Sequence, residues 1–242
     1  MKYVWNEQQT SLFRPIAFEE KIEEGSRVSP LALHTPLGHM AKVIGVADRV
    51  DIYHGSDRDW IRVVDYKTGT QKFDLDEIYN GLSSQMLLYM DALVRAGFGG
   101  TEAGVSPAAV MYQPSDIRGK FDKSDESHYT AIGMAVNEKE IANAFNSDSG
   151  NSYGVIYLKD GKVTRGKDSK VVSRDVFGRV LEFVKESIAN MADCIYSGDY
   201  VPEALEMGND NTPCSYCPYG AMCHHSRLTR KMLKNDFLPK KK

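Results

Sequence analysis

Two neighbouring stretches of the chain alternate apolar and polar residues with period two, and one acid interrupts the apolar row of each. In the first, Ile44, Val46, Val50 and Ile52 are apolar and Asp48 breaks the row; in the second, Ile61 and Val63 lead into Asp65 and Lys67. Side chains two apart on a strand share a face, so strands are expected over 40–53 and 59–67, with Asp48 and Asp65 on faces otherwise built for a core. Gly55-Ser56-Asp57-Arg58 lies between them as a hairpin turn. A turn centred on Ser56-Asp57 sets Ile52 against Ile61 and Val50 against Val63. Asp48 then stands opposite Asp65, with Cβ atoms roughly 4.5–5.5 Å apart.

The same reading predicts strands over 14–22 and 31–35, the latter turning through Pro36-Leu37-Gly38. One helix is expected from Leu75 to Ala96, with Ile78, Leu82, Gln85, Tyr89 and Ala92 on one face and Gly97-Phe98-Gly99-Gly100 as its end. A short strand over 108–112 is closed by Pro114, and 115–130 reads as a surface loop. A helix is expected over 136–145 and a break over 147–152. A hairpin follows, over 153–158 and 162–164, around Lys159-Asp160-Gly161. Ser173 is placed to cap a helix reaching Tyr196. Turn formers fill 197–213. The chain divides into a core over 1–204, a cysteine-rich segment over 205–230 and a basic tail over 231–242.

The opposed acids carry the chemistry. Like charges facing each other across a strand pair are destabilising, and an unpaired buried charge costs more still. A divalent cation between Asp48 and Asp65 removes the conflict, and an all-oxygen ligand set suits Mg²⁺ or Mn²⁺. The carbonyl of Tyr66 is a further candidate ligand. Lys67 shares a strand face with Asp65, where its ammonium can orient a metal-activated water or stabilise developing phosphate charge. The competing arrangement pairs Asp48 with an arginine and Asp65 with Lys67. Gln85 and Tyr89, four apart, stack on one helix face. They are either a satisfied core pair, or they place Gln85 beside the metal water or a phosphate and Tyr89 against Lys67 or a base. Glu19 and Glu20 are expected to be structural, with a metal contact by one of them as the alternative.

Composition narrows the classes. The 242 residues carry a formal net charge of −3, which argues against coating nucleic acid through bulk charge. An enzyme acting on nucleic acid through local basic residues remains open. No apolar run approaches the roughly 18 residues a membrane span needs, and no signal peptide is visible, so a cytoplasmic, non-membrane protein is expected. Cys214, Cys217 and Cys223 cluster within ten residues, with Cys194 upstream. Without a secretory signal such a cluster points to metal rather than to disulfides. Zinc and an iron–sulfur cluster both fit, with Cys194, His224 or His225 as further ligands. His34, His39, His54 and His128 show no ligand spacing.

Taken in order, Gly45-Val46-Ala47-Asp48-Arg49-Val50-Asp51, Val64-Asp65-Tyr66-Lys67-Thr68-Gly69, Gln85-x3-Tyr89 and Cys214-x2-Cys217-x5-Cys223 resemble the PD-(D/E)XK nucleases of the RecB type. Among these, the set is most similar to the nuclease domain of AddAB-type helicase–nuclease B subunits. The iron–sulfur nucleases of CRISPR spacer acquisition share it more distantly. The resemblance implies an α/β, restriction-endonuclease-like core: a central mixed sheet flanked by helices. It implies Mg²⁺-dependent (or Mn²⁺-dependent) exonucleolytic cleavage of DNA from a single-stranded end, in double-strand-break repair, beside a helicase/nuclease partner subunit. Asp48, Asp65 and Lys67 carry over as the catalytic set, Gln85 and Tyr89 as its support, and Cys214, Cys217 and Cys223 as 4Fe–4S ligands. The family's first cluster cysteine and a helix bearing a histidine near the metal have no counterpart before Arg14. The chain is therefore expected to be a fragment, with the cluster absent or replaced by zinc and cleavage weak or absent. The alternative is a nuclease fold kept as a DNA- or partner-binding module.

Overall fold

The structure, a computed structural model, describes residues 7–68, 72–115, 130–146, 154–199, 203–206, 212–223 and 229–238. Its strands are β1 (Arg14–Ile22), β2 (Leu31–His34), β3 (Met40–Val43), β4 (Gly45–His54), β5 (Asp59–Lys67), β6 (Val105–Pro114), β7 (Ile132–Val136), β8 (Ile156–Lys159), β9 (Lys162–Arg165), β10 (Lys170–Val172), β11 (Ala204–Glu206) and β12 (Thr229–Lys231). Residues 7–10 are helical, and the helices after them are α1 (Leu75–Tyr79), α2 (Gln85–Arg95), α3 (Lys139–Phe145), α4 (Arg174–Ser197) and α5 (Gly220–Cys223).

Six strands form one sheet in the order β1-β4-β5-β6-β7-β10. It is mixed: β5 runs parallel to β6 and β7 parallel to β10, while the remaining neighbours are antiparallel. The expected α/β core with a central mixed sheet and flanking helices is present. Strand β5 is buried along nearly its whole length, as befits a strand with a parallel neighbour and helices over it. The parallel step from β5 to β6 needs a crossover, and α1 and α2 supply it; α2 packs on β4, β5 and β6. Ser173 caps α4 as expected, accepting from the Val176 N–H. The β8–β9 hairpin turns through Asp160 and Gly161, both with positive φ.

Several boundaries differ from the sequence reading. The stretch 40–53 is two strands: β3 folds back on β2 as a separate ribbon, and β4 enters the sheet at Gly45. The expected helix 75–96 is broken. Asn80 ends α1, its side chain donating to the carbonyls of Asp76 and Leu233, and Gly81 and Ser83 both take positive φ. The apolar spacing survives the break, which is why periodicity alone misses it. The stretch 136–145 is the end of β7 followed by α3, and the strand placed at 108–112 is longer. Most of the expected loop 115–130, the break at 147–152 and residues 200–202 and 207–211 lie outside the described residues, and the expected turn stretch 197–213 contains β11.

Candidate active site

The predicted register of β4 and β5 is the observed one: Ile52 pairs with Ile61, Val50 with Val63 and Arg49 with Val64. One step beyond, Asp48 Oδ2 accepts from the Tyr66 N–H at 2.8 Å. A carboxylate from one strand thus bonds the backbone of the other between Asp65 and Lys67. Asp48 is partly exposed and Asp65 is buried. No arginine pairs with Asp48 among the described residues. Lys67 Nζ forms an ion pair with Asp65 Oδ2 at 2.7 Å. The half of the competing arrangement that paired Asp65 with Lys67 is therefore present, on the same face as Asp48.

Burial raises the Asp65 carboxyl above its ordinary pKa; Lys67 pulls it back down, and the negative charge of Asp48 pushes it further up. The two acids therefore feel each other, and a cation between them would relieve the repulsion.

The apolar row assigned to this face needs one correction. Ile44 and Val46 are exposed rather than core. The buried side passes instead to Ala47 and Gly45. A Cβ at Gly45 would overlap the Tyr89 hydroxyl, so glycine lets α2 approach the strand here. The switch falls at Asp48. By register its neighbour on β1 is Glu19, since Phe18 pairs with Arg49 and Glu20 with Ala47. Glu19 is exposed with φ +50, a conformation uncommon outside glycine. Glu20 is buried and ion-paired to Arg27, the structural role expected of it.

Gln85 and Tyr89 are brought to each other: Gln85 Nε2 donates to Tyr89 Oη at 2.7 Å. Neither hydrogen-bonds Asp48, Asp65 or Lys67 among the described residues. The place expected for Tyr89 beside Lys67 is held instead by Tyr112, whose ring centroid is 5.9 Å from the ammonium. Tyr112 is the ladder neighbour of Asp65 on β6. Burial first, then the charges of Asp65 and Glu77, push its phenol up to about 12. It remains neutral and forms a wall of the site. Sequence reading missed it because it lies in an unremarkable apolar strand; its distinguishing signal is a tyrosine in register with the acid of the Asp-x-Lys motif.

A second set of charges lies on the other face of the same strands. Arg49, Asp51 and Arg62 are fully buried there. Arg62 Nε lies 2.6 Å from Asp51 Oδ2 and its Nη2 2.5 Å from Glu7 Oε1; Arg49 Nη2 reaches Asp51 at 3.0 Å and Glu7 at 3.2 Å. Arg49 Nη1 donates to Tyr66 Oη at 2.7 Å. The Arg62 guanidinium is 4.8 Å from the Phe13 ring and 5.1 Å from the Phe145 ring. Burial disfavours the charge of Arg49, but Asp51, Glu7 and Tyr66 more than offset this and hold it charged.

Cys214 lies in a 3₁₀ turn (Pro213–Tyr216), Cys217 just after it, and Cys223 is exposed at the end of α5; no disulfide joins them. Cys194, offered as a further ligand, is exposed on α4. His224 and His225 lie outside the described residues, as does His128. Among the described residues no group of three or more His, Cys, Asp and Glu side chains is poised to hold a metal ion. Asp48, Asp65 and the Tyr66 carbonyl suit Mg²⁺, which keeps several waters and is commonly held by one or two carboxylates together with substrate phosphate.

An acid from each of two paired strands, with a lysine two residues beyond the second, on a mixed sheet between helices, is the architecture of one nuclease class. The sequence profile of the PD-(D/E)XK nuclease superfamily matches residues 2–224, and the chain belongs to that family. Its relatives include B subunits of ATP-dependent helicase/deoxyribonucleases. That of Caldanaerobacter subterraneus subsp. tengcongensis is 30% identical over 92% of this chain and 20% of the relative. That of Clostridioides difficile is 30% identical over 87% of this chain and 19% of its own length. That of Clostridium botulinum is 27% identical over 95% and 21%. The chain thus spans about a fifth of the length of these relatives. No helix of the described residues is long and apolar enough to cross a membrane.

Proposed function

We propose that this chain hydrolyses DNA phosphodiester bonds with Mg²⁺ or Mn²⁺ held by Asp48, Asp65 and the Tyr66 carbonyl, and that it acts beside a helicase partner. The carrying observation is the pair of acids on one face, Asp48 accepting from the Tyr66 N–H next to Asp65, with the Asp65 carboxyl raised by burial and by the charge of Asp48. When bound, the cation supplies Lewis-acid polarisation of the phosphate and a more acidic water. Asp48 and Asp65 fix where it sits. Lys67, about one-third exposed and braced by Asp65 and the Tyr112 ring, offers a cation to a phosphate oxygen or an incoming water. The Tyr112 ring, itself 6.4 Å from that of Phe73, covers one side of the lysine. Gln85 and Tyr89 support the site from α2.

The relatives are named as B subunits of ATP-dependent helicase/deoxyribonucleases, which supports DNA as substrate and a helicase/nuclease partner. On this reading a single-stranded end is threaded to the site and cut exonucleolytically, in double-strand-break repair. Incubation of single-stranded DNA with the chain and Mn²⁺ should give cleavage that chelation abolishes. Asp65→Ala should lose cleavage and keep DNA binding. Equal cleavage by wild type and Asp65→Ala would overturn the proposal, and DNA binding with no cleavage by either would establish a binding module instead.

A further inference from the structure

We propose that the buried Glu7–Arg49–Asp51–Arg62 cluster acts through Tyr66 as a positioning device, setting the Asp48–Asp65 gap from the opposite face of the sheet. The inference rests on the cation-binding reading given above and extends it to residues that cannot touch substrate.

The connectivity carries the argument. Arg49 follows Asp48 in β4, and Tyr66 separates Asp65 from Lys67 in β5. Their side chains meet on the far face, Arg49 Nη1 to Tyr66 Oη at 2.7 Å, and the guanidinium carbon lies 5.8 Å from the Tyr66 ring centroid. On the near face the Tyr66 N–H meets Asp48 Oδ2 at 2.8 Å. The two strands are therefore tied twice at one level, by a side-chain bond behind and a carboxylate–amide bond in front. The paired register runs only as far as Arg49–Val64. Beyond it these two bonds hold the strand ends where the acids sit. Arg49 is itself immobilised by Asp51 and Glu7, and Asp51 by Arg62. Buried ions are costly and are often no more stabilising than an apolar replacement. A cluster of them directly behind the acids gains its value from fixing geometry, since groups that orient metal ligands commonly tune affinity strongly.

The test is Tyr66→Phe, which keeps the ring and removes only the hydroxyl bonded to Arg49, with Glu7→Gln as a second variant that weakens the cluster from its far end. Calorimetric titration of the folded protein with Mn²⁺ should show affinity falling about ten-fold for Tyr66→Phe and less for Glu7→Gln. In metal-free protein, hydrogen exchange at the amide of residue 66 should accelerate relative to that of Val64, because its partner Asp48 is no longer held in place. A lowered melting temperature with Mn²⁺ affinity and residue-66 exchange both unchanged would reduce the cluster to a structural role and overturn the proposal. If wild type binds no Mn²⁺, the cation-binding reading fails on its own. The exchange arm then decides whether the cluster still sets the Asp48–Tyr66 bond: acceleration sustains the coupling, and its absence overturns it.

Discussion

The two faces of the β4–β5 ribbon carry charge in opposite ways. On one, Arg49 and Arg62 meet Asp51 and Glu7, so two guanidinium groups face two carboxylates in a nearly dry setting. On the other, Lys67 pairs with Asp65 and one backbone amide donates to Asp48. The first face is balanced without help. The second, with Asp48, Asp65 and Lys67, holds one negative charge more than it holds positive charge, an imbalance that the proposed cation would relieve. On the proposed reading the uncompensated face meets the cation and the balanced one supports it from behind.

Substitution on each face should separate the two. Asp51→Ala leaves Arg62 and Arg49 without their shared acid, and removing one partner of a buried pair costs about 3–5 kcal/mol. Chemical denaturation should show that loss, or an unfolded protein. Asp65→Asn removes the charge that burial disfavours. Its stability in metal-free buffer should match or exceed wild type, while cleavage falls by about 10²–10³-fold, the scale for losing one group that stabilises developing charge. Equal destabilisation by both substitutions would erase the distinction between the faces.

The register of these strands was legible because strict alternation meets a turn sequence that permits only a short loop: Ile52–Ile61 and Val50–Val63 follow from Gly55-Ser56-Asp57-Arg58. Asp48 and Asp65 stood out in the sequence because each is an acid in a row of apolar residues, although Ile44 and Val46 of the first row are exposed. The balanced cluster did not. Arg49, Asp51 and Arg62 alternate with Val50, Ile52, Ile61 and Val63, which reads as a half-exposed strand until a second layer is known to cover the polar side. That layer comes from Phe13 and α3, distant in sequence. The break between α1 and α2 was hidden for a related reason. Asn80 is held by Leu233, more than 150 residues away, and no local periodicity reports such a partner.

Glu7→Gln sharpens the comparison more gently. Glu7 is the outermost member of its cluster, with its side chain still 12% exposed. The substitution keeps the shape and leaves Asp51 to both arginines, so a loss of about 1 kcal/mol is expected by thermal or denaturant unfolding. A loss as large as that of Asp51→Ala would mean that the cluster depends on its net charge rather than on its central carboxylate.

The smallest effect expected is on pH dependence, and its sign is opposite to that of an ordinary paired acid. The Asp65 carboxyl is raised in the folded state, by burial first and by Asp48 beyond what Lys67 offsets. The folded protein therefore holds that proton more tightly than the unfolded chain does. The stabilisation this gives is complete below the unfolded value of 3.8 and is lost as pH rises through the higher folded value. Asp59 and Asp193 behave in the reverse sense. Asp59 is held below its ordinary value by the Thr101 amide and His54 despite burial, and Asp193 by Thr35 and His39, so both lose their contribution as pH falls. Subtracting the melting temperature of Asp65→Asn from that of wild type cancels those shared contributions. The difference should become more negative as pH rises from 4 toward 7 without metal. Added Mn²⁺ should shrink or reverse that trend, because a bound cation favours the ionised carboxylate. A difference that stays flat with pH would mean that Lys67 alone satisfies Asp65, making the active face as self-sufficient as the one behind it.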